Sequence, residues 1–304
     1  MAVDLLCLGD PILEFNQQPD GRYLPGHGGD TSNCAIAAAR QGAHVGYLTH
    51  VGADAFGRSF IDLWQAEGVD TTTVRAVEGG QTGIYFVTHG ADGHEFSYFR
   101  EGSAASRMTP ADLPRDALET AQILHVSGIS QAISQSAADT VFAAIEIVRA
   151  AGGRVSYDSN LRLKLWPLDR ARAIIHAGMA MADIALPGLE DAEALTGLSD
   201  PDRIADFYLG LGAGVVALTL GAGGTLVATP EDRKRLPGRP VAVVDATGAG
   251  DTFDGAFLAR IIAGDDPFTA AAYANAAASI AVQGYGAVAP IPRRADVEAV
   301  LSAS

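Results

Sequence analysis

The chain has 304 residues, of which 48% are hydrophobic and 19% are charged, so it can bury one large core or two small ones. Its net charge of −15 and the lack of a basic run disfavour nucleic acid and anionic membranes as partners, so a positive site must be built locally from a few arginines and backbone amides. The chain enters an apolar strand directly after Met1, and no apolar run is long enough to span a membrane. The two cysteines, Cys7 and Cys34, have the surroundings of buried thiols. Together these features predict a cytoplasmic protein.

Strand and helix patterns alternate along most of the chain. Apolar runs predict strands at 3–8, 45–49, 123–126, 155–157, 184–186, 215–220, 225–228 and 241–244. Helical spacing of apolar residues predicts helices at 32–41, 56–67, 134–150, 169–181, 201–211, 251–263, 267–283 and 294–301. This order predicts an α/β fold with a mostly parallel, doubly wound sheet. No repeat or linker interrupts it, so we expect residues 1–304 to form a single domain.

The alternation stops in two segments, within about 11–25 and 72–102, where half-polar strands follow one another without a helix. In the second segment, "TGIYFVTH" and "HEFSYFR" alternate with period two and are joined by "ADG", which predicts an antiparallel hairpin. A small sheet that projects from an α/β core is a candidate lid or dimer surface, although an edge hairpin would give the same pattern. Because apolar residues occupy both faces of these strands, we expect a homodimer formed through them.

The segment "VVDATGAGDTFDGAFLAR", residues 243–260, predicts a strand, a glycine-rich turn and a helix. The turn residues Gly248, Ala249 and Gly250 leave backbone N–H groups free above the helix N-terminus, a place that favours anions. Asp251 is itself an anion in the first helical turn, where favourable capping would suffice to explain it. The density of small residues instead favours a ligand that approaches the bare backbone.

Three further segments carry polar side chains that suit ligand binding, although capping or solvation explains each pattern alone. Asp158 and its neighbours lie at the carboxyl end of a strand, which is where open α/β sheets bind ligands. The hairpin presents aromatic rings and a guanidinium group on one face. The histidines have no metal-ligand spacing and are expected to be structural. The candidate residues are Asp30 and Asn33; Asp158, Asn160 and Arg162; and Tyr85, Tyr98 and Arg100.

Two long motifs resemble the signatures of one family. "GGDTSNCAIAAARQGAHVGYLTHVGADAFG" and "DATGAGDTFDGAF" resemble the N-terminal and C-terminal signatures of the ribokinase-like (PfkB) carbohydrate kinases. The resemblance covers essentially the whole chain. It implies a three-layer α/β sandwich with a mostly parallel central sheet of eight or nine strands and a small β-sheet lid. It also implies ATP as phosphoryl donor, Mg²⁺, and a sugar hydroxyl as acceptor.

Within that family, "TGIYF", "FSYFREGSAAS", "LHVSGIS" and "DSNLRLKLWP" are most similar to the 2-keto-3-deoxygluconate kinases. The resemblance implies that Asp251 is the base in a catalytic loop with Gly248, Ala249 and Gly250, and that the amides of residues 249–251 hold the phosphoryl charge. It implies a sugar pocket made of Gly29, Asn33, Tyr85, Tyr98, Arg100, Ile129 and Arg162, with both arginines on a carboxylate. It implies an ATP site made of Asn160, Thr219, Gly221, Gly224, Gly248, Gly250 and Asn275.

The metal site departs from the family pattern. Many members have Asn-x-x-Glu near Mg²⁺ and the phosphates, whereas this chain has Pro187 in place of the asparagine. Only Glu190 is therefore carried over, acting on Mg²⁺ through water. The resemblance also implies a monovalent cation such as K⁺ near Asp245 and Thr247.

Two other functions stay open from the sequence. A kinase of fructose, ribose or a nucleoside would keep the family and change the acceptor, but such neutral sugars need no pair of arginines. A non-catalytic sugar- or nucleotide-binding protein would keep the fold, but the intact "GAGD" favours catalysis.

Overall fold

The computed structural model describes residues 3–90 and 93–303, which form a large and a small β-sheet and helices packed on the large one. The strands are β1 (Leu5–Leu8), β2 (Ile12–Gln17), β3 (Tyr23–Gly28), β4 (Val45–Gly52), β5 (Val74–Val77), β6 (Gly83–Gly90), β7 (Gly93–Phe99), β8 (Ile123–Ser127), β9 (Arg154–Asp158), β10 (Ile184–Leu186), β11 (Val215–Thr219), β12 (Thr225–Ala228) and β13 (Arg233–Leu236). The helices are α1 (Asp30–Arg40), α2 (Ala55–Ala66), α3 (Arg115–Thr120), α4 (Gly128–Ala132), α5 (Gln135–Ala150), α6 (Leu168–Met179), α7 (Leu189–Thr196), α8 (Pro201–Leu211), α9 (Ala249–Ile262), α10 (Pro267–Ala281) and α11 (Arg294–Ser302).

The large sheet has nine strands in the order β13-β12-β11-β10-β9-β8-β1-β4-β5. The strands from β11 to β5 are parallel, and β12 and β13 are added antiparallel at one edge. The expected mostly parallel α/β sheet is confirmed.

Alternate residues of β1 show why helices cover both faces of this sheet. Leu5 and Cys7 are buried in one core cluster with residues of α1 and α9, whereas Leu6 and Leu8 are buried in a second cluster with residues of α5 and α6. Successive side chains of a strand point to opposite faces, so a strand that is apolar throughout requires a helix layer on each side. The result is the predicted three-layer sandwich.

The small sheet has the order β3-β2-β6-β7, with β2 parallel to β6 and the other two pairs antiparallel. The hairpin predicted at 82–100 is thereby confirmed as β6 and β7, although Ala91 and Asp92 of its "ADG" turn lie outside the described residues. The prediction for 72–102 was wrong at its start, because β5 pairs in parallel with β4 and belongs to the large sheet.

The strand predicted at 241–244 does not form. Val241, Val243 and Val244 are exposed, and the segment is a loop tied to Val282 by backbone hydrogen bonds from Val244 and Asp245. A β-branched run favours extended backbone, but without a neighbouring strand it has no ladder to join. The strand that does form is β13, whose sequence "RKRL" is charged because it is the edge of the sheet, and the apolar patterns therefore missed it.

No helix within the described part of the chain is both long and apolar enough to cross a membrane.

Candidate active site

A cavity of about 690 Å³ opens between the small sheet and the large one. Four parts of the chain supply its walls: the small sheet, the start of α1, the loop after β9 and the start of α9. Because β9 is a parallel strand and the loop leaves its carboxyl end, the cavity lies where open α/β sheets bind ligands.

The N-terminus of α9 forms one wall without a side-chain cap. Gly248 precedes the helix with a φ of 74°, and a Cβ there would lie 3.0 Å from the carbonyl oxygen of Ala287. Gly250 has open space around its Cα. The uncapped first-turn N–H groups and the missing side chains leave room for an anion at this helix end.

Asp251 lies in the first turn of α9 and accepts a hydrogen bond of 2.7 Å from Asn33 Nδ2 of α1. Burial, together with the charge of Asp30, raises the pKa of Asp251 to about 7, against the opposing effects of Asn33 and Arg162. A carboxylate with this pKa exchanges protons near neutral pH, which a general base requires.

Two more carboxyl groups lie close to Asp251 in the cavity wall. Burial first, and then neighbouring carboxylates, raise the pKa of Asp158 and Asp254 well above the usual range. Asp30 accepts a hydrogen bond of 2.9 Å from Asn160 Nδ2. The crowding of these side chains therefore disfavours the ionised form of Asp158 and of Asp254.

Asn160 is held in an unusual backbone conformation at this point. Its φ of 26° is the only positive value at a non-glycine residue in the described ranges. Its backbone N–H donates to Asp158 Oδ1 at 3.1 Å, and its side chain donates to Asp30. Strained backbone of this kind is concentrated at functional sites, and here it joins the β9 loop to the start of α1.

The small sheet contributes an aromatic and charged wall. Tyr85 and Tyr98 pair across β6 and β7 with their ring centroids 5.5 Å apart, and the Tyr85 hydroxyl donates to Glu14. Arg100 donates twice to Asp10 Oδ2, with an Nε–Oδ2 distance of 3.0 Å. Burial raises the pKa of Asp10 although the guanidinium opposes it.

Most of the residues proposed from the sequence come together in the cavity. Those that line it are Gly29, Asp30, Asn33, Tyr85, Tyr98, Arg100, Ile129, Asp158, Asn160, Arg162, Thr219, Thr247, Gly248, Ala249, Gly250 and Asp251. Those that do not line it are Glu190, Gly221, Gly224, Asp245 and Asn275.

The residues outside the lining lie in three places. Glu190 is exposed at the start of α7, whereas its neighbour Asp191 lines the cavity. Gly221 and Gly224 lie in the turn between β11 and β12, and Asn275 of α10 accepts a hydrogen bond of 2.7 Å from Thr225 Oγ1 near the same turn. Asp245 accepts from the backbone and hydroxyl of Thr247 and from the Gly286 N–H. No group of three or more His, Cys, Asp or Glu side chains in the described ranges could hold a metal ion.

Sequence reasoning missed several residues of the cavity wall, including Asp10 and Asp254. Asp10 lies two residues beyond the end of β1, and Asp158 ends β9, so the rule that singled out the residues at the carboxyl end of β9 also applied to Asp10. Asp254 was not singled out from the sequence, although its spacing of three from Asp251 puts both on one helix face.

A family model described as pfkB family carbohydrate kinase matches residues 14–294 of this chain. A 2-dehydro-3-deoxygluconokinase of Bacillus subtilis (strain 168) is 34% identical over 314 aligned positions, covering 100% of this chain and 97% of the relative. A probable fructokinase-7 of Arabidopsis thaliana is 30% identical, covering 99% and 93%. A structure of a putative ribokinase II from E. coli in complex with ATP and Mg²⁺ has a TM-score of 0.91 at 26% identity, covering 99% of this chain and 100% of that one.

Proposed function

The chain belongs to the pfkB family of carbohydrate kinases and is a sugar kinase, and we propose that its acceptor is an acidic keto-sugar, 2-keto-3-deoxygluconate (2-dehydro-3-deoxygluconate). In this proposal a primary hydroxyl of the sugar receives the γ-phosphoryl group of ATP. The similarity to the Bacillus subtilis 2-dehydro-3-deoxygluconokinase over the full chain supports this substrate.

The observation that supports an acidic substrate most directly is that the guanidinium group of Arg162 has no close counterion. This side chain lines the cavity, its recorded hydrogen bond goes to the carbonyl oxygen of Leu161, and no carboxylate of the described residues lies within 4.0 Å of it. In a chain of net charge −15, a guanidinium left without a close counterion is available for an anionic ligand. A sugar carboxylate would supply that counterion.

In the proposed reaction, Asp251 takes the proton of the acceptor hydroxyl as its oxygen attacks the phosphoryl group. The hydrogen bond from Asn33 orients the carboxylate, and both side chains belong to helices that pack against each other. Phosphoryl transfer asks for little covalent chemistry from the protein, so positioning and charge stabilisation carry most of the catalysis. The N–H groups of Ala249, Gly250 and Asp251 would hold the charge of the migrating group.

We infer that ATP extends from this helix end toward the turn between β11 and β12, along Thr219, Gly221, Gly224 and Asn275, with Asn160, Gly248 and Gly250 near the phosphates. Mg²⁺ that arrives with ATP would neutralise phosphate charge, and Glu190 would reach it through water. Asp245 suits a monovalent cation such as K⁺: burial opposes its charge, but hydrogen bonds from Thr247 and Gly286 outweigh this and lower its pKa.

A neutral sugar such as fructose is the second candidate. The similarity to the Arabidopsis thaliana fructokinase favours it, at an identity only slightly below that of the Bacillus subtilis relative. Arg162 would then have no anionic partner in the substrate.

A panel of acceptors separates the two candidates. The purified enzyme is assayed for ADP release with Mg-ATP and each of 2-keto-3-deoxygluconate, its galactonate epimer, fructose, ribose and adenosine. We expect the highest kcat/KM for an acidic keto-sugar. A higher kcat/KM for fructose, ribose or adenosine would contradict the proposal and favour the neutral acceptor.

A further inference from the structure

The charges of the cavity are not equally available to a ligand. Arg100 and Asp10 form an ion pair in which the two side chains are only 11% and 1% exposed. A buried guanidinium that is bonded twice to a carboxylate has its charge compensated locally. Arg100 can therefore contribute little net positive charge to the recognition of an anion, although it lines the cavity.

Lys164 is a further cationic side chain of the cavity wall, and no sequence motif pointed to it. It lies in the loop after β9, two residues beyond Arg162, and is exposed. Within the described ranges its ammonium group has no carboxylate within 4.0 Å. Its recorded contact is with the ring of Phe96 on β7, whose centroid is 5.1 Å from Nζ.

Phe96 links this contact to the aromatic wall of the small sheet. Its ring is stacked with Tyr98 at a centroid distance of 6.4 Å, and Tyr98 is stacked with Tyr85. The Lys164 ammonium thus rests at the end of a row of three rings on the sheet that covers the cavity. A cation over an aromatic ring is held by about 0.5–1 kcal/mol at an exposed site, and this contact leaves the N–H donors of the ammonium unused.

We propose that Lys164 is a specificity-determining residue that binds the carboxylate of the acidic sugar together with Arg162, while Phe96 positions its ammonium group. The inference rests on the proposed function, because it requires an anionic substrate. Lys164 and Arg162 come from one loop and Phe96 from the small sheet, so an acidic sugar would join the two walls of the cavity. A neutral sugar would leave the ammonium on the ring and would make no use of it.

The test compares K164M with K164R and with a matched control. Lys234 provides the control, since its Nζ lies 4.4 Å from the centroid of the Phe268 ring, in the same kind of contact, and neither residue lines the cavity. For each variant, kcat and KM are measured with 2-keto-3-deoxygluconate and with fructose under saturating Mg-ATP. A charged hydrogen bond of about 1.5–3 kcal/mol corresponds to roughly 10- to 150-fold in kcat/KM.

We expect K164M to lower kcat/KM for 2-keto-3-deoxygluconate by about 10-fold or more, mainly through KM, and to leave fructose within about twofold. K164R should retain most of the activity toward the acid, and K234M should behave as wild type with both sugars. If K164M turns over the acid as well as the wild-type enzyme does, or loses activity equally on both sugars, Lys164 does not determine specificity. Either result would leave the proposed function standing. A wild-type enzyme without activity on the acid would overturn the proposed function, and this inference with it.

Discussion

At the residue scale, the environment of Asp251 predicts how activity depends on pH. Its pKa is raised to about 7 mainly by burial, and a general base works only when it is ionised. We therefore expect kcat/KM to fall below about pH 7 as Asp251 becomes protonated, and to level off above about pH 8. Replacing Asn33 by leucine removes a hydrogen bond that lowers this pKa, so the acidic limb should move to higher pH.

This profile is measured from pH 5.5 to 9 with one sugar and saturating Mg-ATP, since kcat/KM reports ionisation of the free enzyme. An activity that stays constant down to pH 5.5 would mean that Asp251 has an ordinary pKa or is not the base.

Arg162 has two effects that can be measured separately. Its charge favours ionisation of Asp251, so Arg162→Met should shift the acidic limb upward for every sugar. Its proposed bond to the carboxylate should matter for an acidic sugar alone, with a loss in kcat/KM of roughly 10- to 150-fold. Measurement at pH 9, where Asp251 is ionised in both proteins, isolates the second effect.

The matched control for this variant is Arg170→Met, because Arg170 is exposed on α6 and does not line the cavity. Equal losses on an acidic and a neutral sugar at pH 9 would argue that Arg162 supports the fold or the nucleotide site. Arg100→Ala is a poorer probe, because it would leave Asp10 buried without its partner.

Single residues were predicted from the sequence where a local pattern pointed to them. Asp251, Asn33 and Arg162 each follow a glycine turn or a strand end, and all three line the cavity. The ion pair of Arg100 with Asp10 joins residues that are 90 positions apart in the sequence. Asp10 lies just after β1 and Arg100 just after β7, and no local sequence pattern encodes such a partner.

At the element scale, the position of Asp251 depends on how closely α9 packs on α1. Gly255 makes this possible, since a Cβ there would lie 2.3 Å from the carbonyl oxygen of Cys34 and 2.6 Å from Ala37 Cβ. We expect Gly255→Ala to push the helices apart and to lower the free energy of unfolding by about 1–3 kcal/mol. It should also lower kcat, because Asp251 and Asn33 lie on the two helices that separate.

Urea denaturation measures the change in the free energy of unfolding, and Gly210→Ala is the control variant. Gly210 is an exposed residue of α8 with nothing within 4 Å of an added Cβ, so alanine should stabilise that helix by up to about 1 kcal/mol. A Gly255→Ala protein as stable as wild type would show that the helices do not need this close contact.

Elements were predictable where the apolar pattern was clear and its ends were marked. The sequence predicted α8 to its exact residues because its apolar residues have helical spacing and its ends carry cap signals. It placed β10 and β12 correctly because each is a short apolar run. The short helices α3, α4 and α7 were not predicted. The errors in the strands concern pairing. Residues 241–244 have the composition of a strand but no neighbouring strand, β13 has a neighbouring strand but a charged sequence, and β5 joins the large sheet. Pairing depends on distant segments that a local window does not contain.

At the scale of the whole molecule, the small sheet presents an aromatic face on the side away from the cavity. Phe15, Tyr23, Phe86 and Phe99 form a connected set of ring contacts with centroids 5.1–5.9 Å apart. Phe99 is 58% exposed. A cluster of this kind favours burial against another surface, and we expect a second copy of the chain to cover it.

Sedimentation velocity at micromolar concentration tests this expectation. Wild type should sediment as a dimer and Phe99→Asp as a monomer, because a buried carboxylate without a partner opposes association. Val243→Asp places the same charge on an exposed valine of the 241–248 loop and should leave the dimer intact. A wild-type monomer, or a dimer that survives Phe99→Asp, would contradict a dimer formed through the small sheet.

Asp251 lines the cavity and links α9 to α1 through Asn33, so its replacement by asparagine tests the proposed chemistry most directly. Asparagine keeps the size of the side chain but cannot take the proton of the acceptor hydroxyl. The measurement is kcat at saturating Mg-ATP with the sugar that the wild-type enzyme turns over fastest, together with the Kd for ATP. We predict that Asp251→Asn lowers kcat by about 10²–10⁴-fold with little change in ATP binding. A variant that keeps nearly full kcat would remove Asp251 from the mechanism.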